Sequence, residues 1–266
     1  MTMFLIATSV PISLLSADLP KAAIMLIVRE GNRLFEAGNA LLEENPGRAA
    51  ELYADALLHF ERAVFEGGVS NGKLYYNIGN TYYRLGDIGR AILNYRRSMQ
   101  LMPRDANLLK NLDYARSNRV DTIEETANRK ALAMLLFWHY GLPFWTRLTV
   151  FSICFGLFWI CAALKVIFKG RAFFWILIII AMPASIFLGS VVADTVGRPG
   201  QDDGVIVATS VIARKGNADT YQPSFSEPLH SGTEFSFIER RADWYYVELL
   251  DGRKCWIPGA STELLF

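Results

Sequence analysis

Two long apolar runs constrain what this 266-residue chain can fold into more than any other feature. Residues 148–164 contain no charged side chain, and with 166–168 they reach the ~20 residues that cross ~30 Å of hydrocarbon. A second run, 172–193, is equally free of charge. The turn between them, 165–171, carries three basic residues and no acidic one, so the positive-inside rule places it in the cytoplasm. The sequence therefore predicts a transmembrane α-hairpin, with helices at about 148–168 and 172–193, whose flanking segments both lie on the opposite side.

The segments around this hairpin agree with export. Residues 4–17 have the length of a signal-peptide core and end in small residues, although no Lys or Arg precedes them. Residues 1–22 are thus interpreted as a signal peptide or an N-terminal anchor. Residues 138–147 mix Trp, Tyr, Phe and Pro, which is typical of a headgroup-level belt, so 131–196 comprises an interfacial segment and the two spans. We expect a multi-pass protein of a bacterial inner (cytoplasmic) membrane, in contact with lipid, with both soluble domains in the periplasm.

A 34-residue pattern of small and aromatic residues precedes the membrane region and is typical of the tetratricopeptide repeat. Small Gly79 and Ala91 lie where the two helices of the repeat approach each other. Tyr82 and Tyr95 fill the space between these helices. Pro103 ends the second helix, because its ring clashes with a helix interior and removes a hydrogen bond. These five residues predict a helical hairpin.

One repeat cannot bury its apolar face alone, so neighbours are expected. Residues 31–38 match 79–86 in spacing and type, at an offset of 48 rather than 34. The surplus falls around the Asn-Pro-Gly turn in 44–49, which predicts a first hairpin longer by about two helical turns on each side. Residues 105–120 have apolar side chains at helical spacing and form a closing helix. The predicted all-α repeat domain, with its capping helix, occupies 23–125.

The first helices of such a stack present one face as a groove. The repeat register places the following candidate peptide-binding residues on it: Asn32, Asn77, Asn80, Tyr83, Lys110 and Asn111. Tetratricopeptide domains commonly bind an extended peptide at this face, with Asn side chains holding its backbone and Lys neutralising a carboxylate. The alternative, that these polar side chains are only solvated, stays open.

The last part of the chain has the pattern of a small all-β domain. After a Gly/Pro/Asp linker at 197–204, residues 205–266 alternate short β-rich runs with turn signals. Asp251-Gly252 predicts a two-residue hairpin turn. The region resembles a bacterial SH3-like barrel through these residues: Val211, Arg214, Gly232-Thr233, Trp244-Tyr245-Tyr246-Val247, Asp251-Gly252-Arg253 and Cys255-Trp256-Ile257. The aromatic residues Trp244, Tyr246 and Trp256 belong to the surface or the core of this domain.

Composition and spacing argue against an enzyme and against nucleic-acid binding. A net charge of +1 provides no polybasic field for a phosphate backbone, so nucleic acid is not an expected partner. His59, His139 and His230 fall one in each part of the chain, which suggests no metal cluster and no Ser-His pairing. The sequence also lacks a phosphate-cradling Gly-rich loop. We therefore predict a non-enzymatic protein without a cofactor, a metal or catalytic residues.

The order of these parts resembles the BatE-type proteins of bacterial aerotolerance operons over nearly the whole chain. Residues 77–116 are similar to the family's most recognisable segment, and 138–148 resemble the start of its membrane region. The resemblance implies a scaffold or adaptor in an envelope complex with von Willebrand factor A-type membrane proteins and a MoxR-type ATPase system, linked to stress or oxygen tolerance. An alternative hypothesis is a cell-wall sensor or tether that binds peptidoglycan through the SH3-like domain. The expected architecture is a multidomain membrane protein of helical repeats, a transmembrane α-hairpin and a small all-β barrel.

Overall fold

The computed structural model describes residues 19–168, 170–197 and 203–265. The predicted signal peptide or anchor therefore lies, except for its last four residues, outside the described residues. The same holds for 198–202, which make up most of the predicted linker.

Five helices form the part of the chain before the membrane region. They are α1 (Lys21–Leu41), α2 (Pro46–Phe65), α3 (Gly72–Arg84), α4 (Ile88–Leu101) and α5 (Ala106–Ser117). Helices α1 and α2 have 21 and 20 residues, whereas α3 and α4 have 13 and 14. The first hairpin is thus longer by eight and six residues, close to the predicted two turns per helix. Helix α4 ends two residues before Pro103.

Short polar side chains and one glycine set the ends of these helices. Asn45, Asn71, Asp87 and Asp105 each accept a hydrogen bond from a backbone N–H in the first turn of the helix that follows. After α3, Gly86 takes a φ of 82°, and its N–H and that of Asp87 donate to carbonyls of the last turn. This arrangement is a Schellman motif, which needs a residue that tolerates positive φ.

Glycines bring the two helices of each hairpin together. A Cβ built on Gly79 would lie 2.6 Å from the ring of Tyr95, which is buried on α4. In the first hairpin, Gly38 faces Tyr53 and Gly31 faces Phe60 in the same way, each at 2.7 Å. Since an ordinary side chain has no room at these positions, the glycines fix how closely the helices pack.

In the described residues, four more helices follow: α6 (Ala127–Leu135), α7 (Phe137–Tyr140), α8 (Phe144–Phe168) and α9 (Arg171–Gly197). By length and composition, Phe144–Phe168 and Arg171–Thr195 could each cross a membrane. They form an antiparallel pair, and their apolar side chains are largely exposed in the isolated chain. An ion pair joins the start of α8 to the end of α9, between Arg147 and Asp194.

The C-terminal part is built from antiparallel strands. The strands are β1 (Asp203–Ile206), β2 (Ser210–Val211), β3 (Leu229–His230), β4 (Glu234–Arg241), β5 (Trp244–Leu249), β6 (Lys254–Pro258) and β7 (Thr262–Leu264). Five of them form a sheet in the order β6-β5-β4-β1-β7, and β2 pairs with β3. The loop between β5 and β6 spans 250–253 and is thus longer than the predicted two-residue turn, because Leu249 bonds to Arg253; Gly252 takes a φ of 87° within it.

The predicted closed barrel is not formed by the described strands, because the five-stranded sheet keeps two outer strands, β6 and β7. The reason lies in what covers β7. The guanidinium of Arg97, on α4, donates hydrogen bonds to the carbonyl oxygens of Leu264 and Leu265 at 2.8 and 2.6 Å. This outer strand is therefore covered by a repeat helix instead of another strand. Classification as SH3-like stays a prediction.

The sheet and the repeats share one interior. Val205 on β1 and Leu265 after β7 are fully buried in the same apolar cluster as Ile92 of α4 and Leu108 of α5. Conversely, Ile123 of the segment that follows α5 is buried in the core of the sheet. The sequence left open whether the two soluble parts touch each other, and the structure brings them into direct contact.

Candidate functional site

The first helices of the stack, α1, α3 and α5, share one face, which we call the groove face. Hydrogen bonds between amide side chains join these helices. Asn77 Nδ2 on α3 donates to Asn32 Oδ1 on α1 at 2.9 Å. Asn111 Nδ2 on α5 donates to Asn80 Oδ1 on α3, also at 2.9 Å. The groove face is thus held together by its own polar side chains before any ligand is present.

A cavity of about 300 Å³ opens on the groove face. The residues lining it are Phe35, Asn80, Tyr83, Arg84, Tyr95, Asn111 and Tyr114. The rings of Tyr83 and Tyr114 lie 5.6 Å apart across α3 and α5. The walls are therefore mainly aromatic, with a few amide and phenol groups among them, which is the general composition of ligand pockets.

The floor of the cavity is a preorganised polar network. Asn80 Oδ1 accepts from the Tyr95 hydroxyl at 2.8 Å as well as from Asn111. Asn111 Nδ2 also donates to the Tyr76 hydroxyl at 2.9 Å. The amide oxygen of Asn80 is therefore already used within the protein, and this residue positions its neighbours more than it reaches for a ligand.

Positive charge dominates the electrostatics of the cavity. Arg84 is the one charged residue among its lining residues in the described chain. Burial raises the pKa of Tyr95, and it raises that of Tyr83, which also bonds to Tyr114. These phenols therefore stay protonated at neutral pH and can donate hydrogen bonds. The site suits a segment with an apolar or aromatic side chain next to an acidic group.

The predicted groove residues are placed at different depths. Asn80, Tyr83 and Asn111 line the cavity. Asn32 and Asn77 bond to each other on the same face, and Lys110 is exposed on α5 and does not line the cavity.

Four lining residues were missed by the sequence reasoning: Phe35, Arg84, Tyr95 as a cavity wall, and Tyr114. One signal was available, because the 48-residue offset between the repeats aligns Phe35 with Tyr83. For Tyr114 the repeat register of α5 would have had to be extended by one turn beyond Lys110 and Asn111.

The aromatic residues predicted for the C-terminal domain pack on one another. Trp256 is only 7% exposed, and Tyr246 stacks on it with the ring centroids 5.0 Å apart. The guanidinium of Arg241 lies 5.3 Å from the Trp256 ring, and Trp244 is half-buried on the neighbouring strand. The indole of Trp256 is thus largely covered by its own neighbours. The peptidoglycan hypothesis gains no support from this arrangement and stays a prediction.

Within the described residues, no group of three or more His, Cys, Asp or Glu side chains is placed to hold a metal ion.

Comparison with known proteins identifies the repeat. Residues 72–105 match the family model described as tetratricopeptide repeat, so the match begins at the first residue of α3 and ends at the N-cap of α5. A search of curated proteins finds no match to the chain. The chain thus carries a tetratricopeptide repeat, and such repeats generally mediate binding to protein partners.

Proposed function

We propose that this protein is a non-enzymatic, membrane-anchored scaffold that binds protein partners in the cavity of its groove face. The observation that carries the proposal is the open cavity on the matched repeat. All its lining residues come from α1, α3, α4 and α5, and in the described part of the chain none comes from the C-terminal sheet. The sheet packs against α4 and the end of α5 instead, so that a partner has free access to the groove.

The contact between the soluble parts supports the anchored arrangement. Helices α8 and α9 lie between them in sequence, and either helix could cross a membrane. If the chain spans a bilayer here, the repeats and the sheet can touch only when it crosses an even number of times. Two crossings, with the basic turn in the cytoplasm and both soluble parts in the periplasm, meet this condition.

The resemblance to BatE-type proteins supplies the partner class of the proposal. It supports an envelope complex with von Willebrand factor A-type membrane proteins and a MoxR-type ATPase system, active in stress or oxygen tolerance. The cavity favours an acidic segment of such a partner, because the guanidinium of Arg84 is among its lining groups.

The experiment is purification of the tagged protein from native membranes in a mild detergent, followed by mass spectrometry. Arg84→Gln with Tyr114→Ala removes the cation and one exposed aromatic wall; Tyr114 is 60% exposed, so its loss leaves no buried gap. We expect this variant to lose the co-purified membrane proteins that the wild type retains. Arg62→Gln with Phe65→Ala makes the same two changes on α2, outside the cavity, and should retain them.

Equal recovery with both variants would place the partner contact outside the groove. Co-purification of cell-wall material by the wild type, without any protein partner, would contradict the scaffold and favour the peptidoglycan hypothesis.

A further inference from the structure

A buried carboxylate of the C-terminal sheet lies at the centre of its contact with the repeat domain. The side chain of Glu234, at the start of β4, is 0% exposed. Three guanidinium groups surround it: Arg96 donates at 2.6 Å, Arg116 donates twice at 2.8 Å, and Arg119 donates at 3.1 Å. All three arginines belong to α4, α5 or the turn after α5, and we call them the arginine cage. A single carboxylate of the sheet thus meets three cations of the repeat domain.

The arginine cage outweighs the cost of burying a charge. Burial alone raises the pKa of Glu234, but the charges and hydrogen bonds of Arg96 and Arg116 lower it to about 2. Arg96 also pairs with Asp203 of β1 at 2.5 Å. Glu234 therefore remains ionised at neutral pH, and the loss of one of its partners leaves a buried charge without compensation.

A strap of the chain after α5 adds a second set of contacts. Asp121 accepts hydrogen bonds from the His230 backbone N–H at 2.6 Å, from the Thr233 hydroxyl at 2.6 Å and from His230 Nδ1 at 2.9 Å. Two residues later, Ile123 enters the core of the sheet. The N–H of Thr126 then donates to the carbonyl of Leu250 at 3.3 Å. The sheet is therefore completed by residues that precede both apolar helices.

Apolar side chains of the C-terminal part are also buried against the repeat domain. Val205 and Leu265 are fully buried against helices of the repeat domain. Undocking would return both aliphatic side chains to water and would remove Ile123 from the sheet core. The sheet has its own core, which includes Phe235, Val247 and Ile257, but a unit of about 60 residues is only marginally stable, so the loss of Ile123 from that core weighs on its folding.

We infer that the α4–α5 surface of the repeat domain is a docking site reserved for the chain's own C-terminal sheet, and that this sheet is stably folded only when docked there. The two soluble parts are one folding unit that is completed after the apolar hairpin between them has formed. Partners are confined to other surfaces, the groove face among them. The inference rests on contacts outside the groove, so it stands or falls independently of the proposed function.

Hydrogen exchange of the full-length protein in detergent micelles, followed by mass spectrometry, tests this inference. Glu234→Gln keeps the shape of the side chain but removes the charge at the centre of the arginine cage. We expect amides of β1, β4, β5 and β7 to exchange about tenfold faster or more, and those of α1 and α2 to stay unchanged. Glu239→Gln alters a partly exposed carboxylate of the same strand, paired with Arg241, and should leave exchange unchanged.

A second pair of variants tests the strap without touching the sheet sequence. Ile123→Ala should accelerate exchange in β5 and β6, whereas Thr122→Ala, at the exposed neighbouring position, should not. The inference is overturned if Glu234→Gln and Glu239→Gln behave alike, or if Ile123→Ala affects only residues 119–126. Faster sheet exchange in the wild type on dilution would also overturn it, because the docked sheet would then come from a second copy.

Discussion

At the scale of single residues, this fold depends on glycines, which have no side chain and so leave room for an aromatic ring. Gly31, Gly38 and Gly79 each face an aromatic ring of the partner helix. The ring takes the volume that a Cβ would occupy, so glycine and aromatic residue work as a pair. Such pairs let long helices pack closely with large, rigid side chains between them.

The first prediction concerns the pair of Gly79 and Tyr95, which lies in the matched repeat. Gly79→Ala places a Cβ 2.6 Å from the buried Tyr95 ring, which forces the helices or the ring to move. Overpacking of this kind costs about 1–3 kcal/mol, more than the ~1 kcal/mol that alanine gains in helix propensity. We expect a lower free energy of unfolding in urea, measured by circular dichroism on the full-length protein in micelles.

The matched control for this substitution is Gly47→Ala in α2. The nearest atom to a Cβ there is Asn45 Oδ1 at 3.7 Å, an ordinary contact, so this variant should be neutral or slightly more stable. If the two variants unfold at the same urea concentration, tight packing at Gly79 is refuted.

Residue-level prediction from the sequence depends on a local signature at each position. Gly79, Ala91 and Tyr95 follow a fixed spacing, and they pack as a repeat requires. Glu234 has no such signature, because it is one carboxylate in a strand and its partners lie 115 to 138 residues away. Its burial follows from tertiary contacts that no short pattern encodes.

At the scale of elements, the apolar helix pair is joined by polar residues at one end. Arg147 pairs with Asp194, and its Nη1 also donates to Ser190 Oγ at 2.7 Å. His139 Nδ1 accepts from the same Nη1 at 2.8 Å, which links α7 to the pair. Charged side chains within a helix that spans a membrane are costly unless they are paired.

This cluster also accounts for the position at which α8 begins. The sequence placed the first span from Leu148 because Arg147 interrupts the apolar run, but α8 begins at Phe144. A charge in the first turn of α8 is tolerated because Asp194 neutralises it. A hydropathy scale counts the cost of placing the Arg147 charge in an apolar helix, but it takes no account of Asp194, which neutralises that charge.

The second prediction tests that compensation. Asp194→Asn leaves Arg147, whose side chain is 6% exposed, without its anion, and we expect a loss of about 3 kcal/mol in stability. Arg147→Met combined with Asp194→Leu should regain most of this loss, since paired charges can be replaced by apolar groups at little cost. Thermal unfolding in detergent provides the measurement.

Arg171→Gln serves as the control for charge removal, because Arg171 is exposed at the opposite end of α9. A double variant as unstable as Asp194→Asn would show that the individual side chains, and not their pairing, hold the helices together.

At the scale of the whole molecule, the sequence predicted the parts but not their assembly. Helical period, apolar run length and turn residues are local properties, and each part of the chain carries its own. The contact between sheet and repeats is made by Val205, Leu265 and Ile123, three ordinary aliphatic residues. The same contact covers β7, an outer strand of the sheet, with Arg97 of α4 instead of another strand.

The third prediction is the membrane topology that this assembly requires. Single cysteines at Glu44 in the repeats, Asp219 in the sheet domain and Gly170 in the basic turn report three positions. With a membrane-impermeant maleimide on intact spheroplasts, Glu44→Cys and Asp219→Cys should be labelled, and Gly170→Cys only after permeabilisation. The buried native Cys255 should not react with the maleimide, since burial raises its pKa to about 12 and keeps the thiol protonated.

Each outcome of this labelling tests a different part of the argument. Labelling of only one soluble position would place the repeats and the sheet on opposite sides, which their shared interior forbids, so the docked structure would be wrong. Labelling of Gly170→Cys alone would preserve the docking but put both soluble parts in the cytoplasm, against the charge of the turn. Labelling of all three positions would mean that the two apolar helices do not cross the membrane. The expected pattern is the one that satisfies the docking and the basic turn together, because both helices then cross and both soluble parts meet in the periplasm.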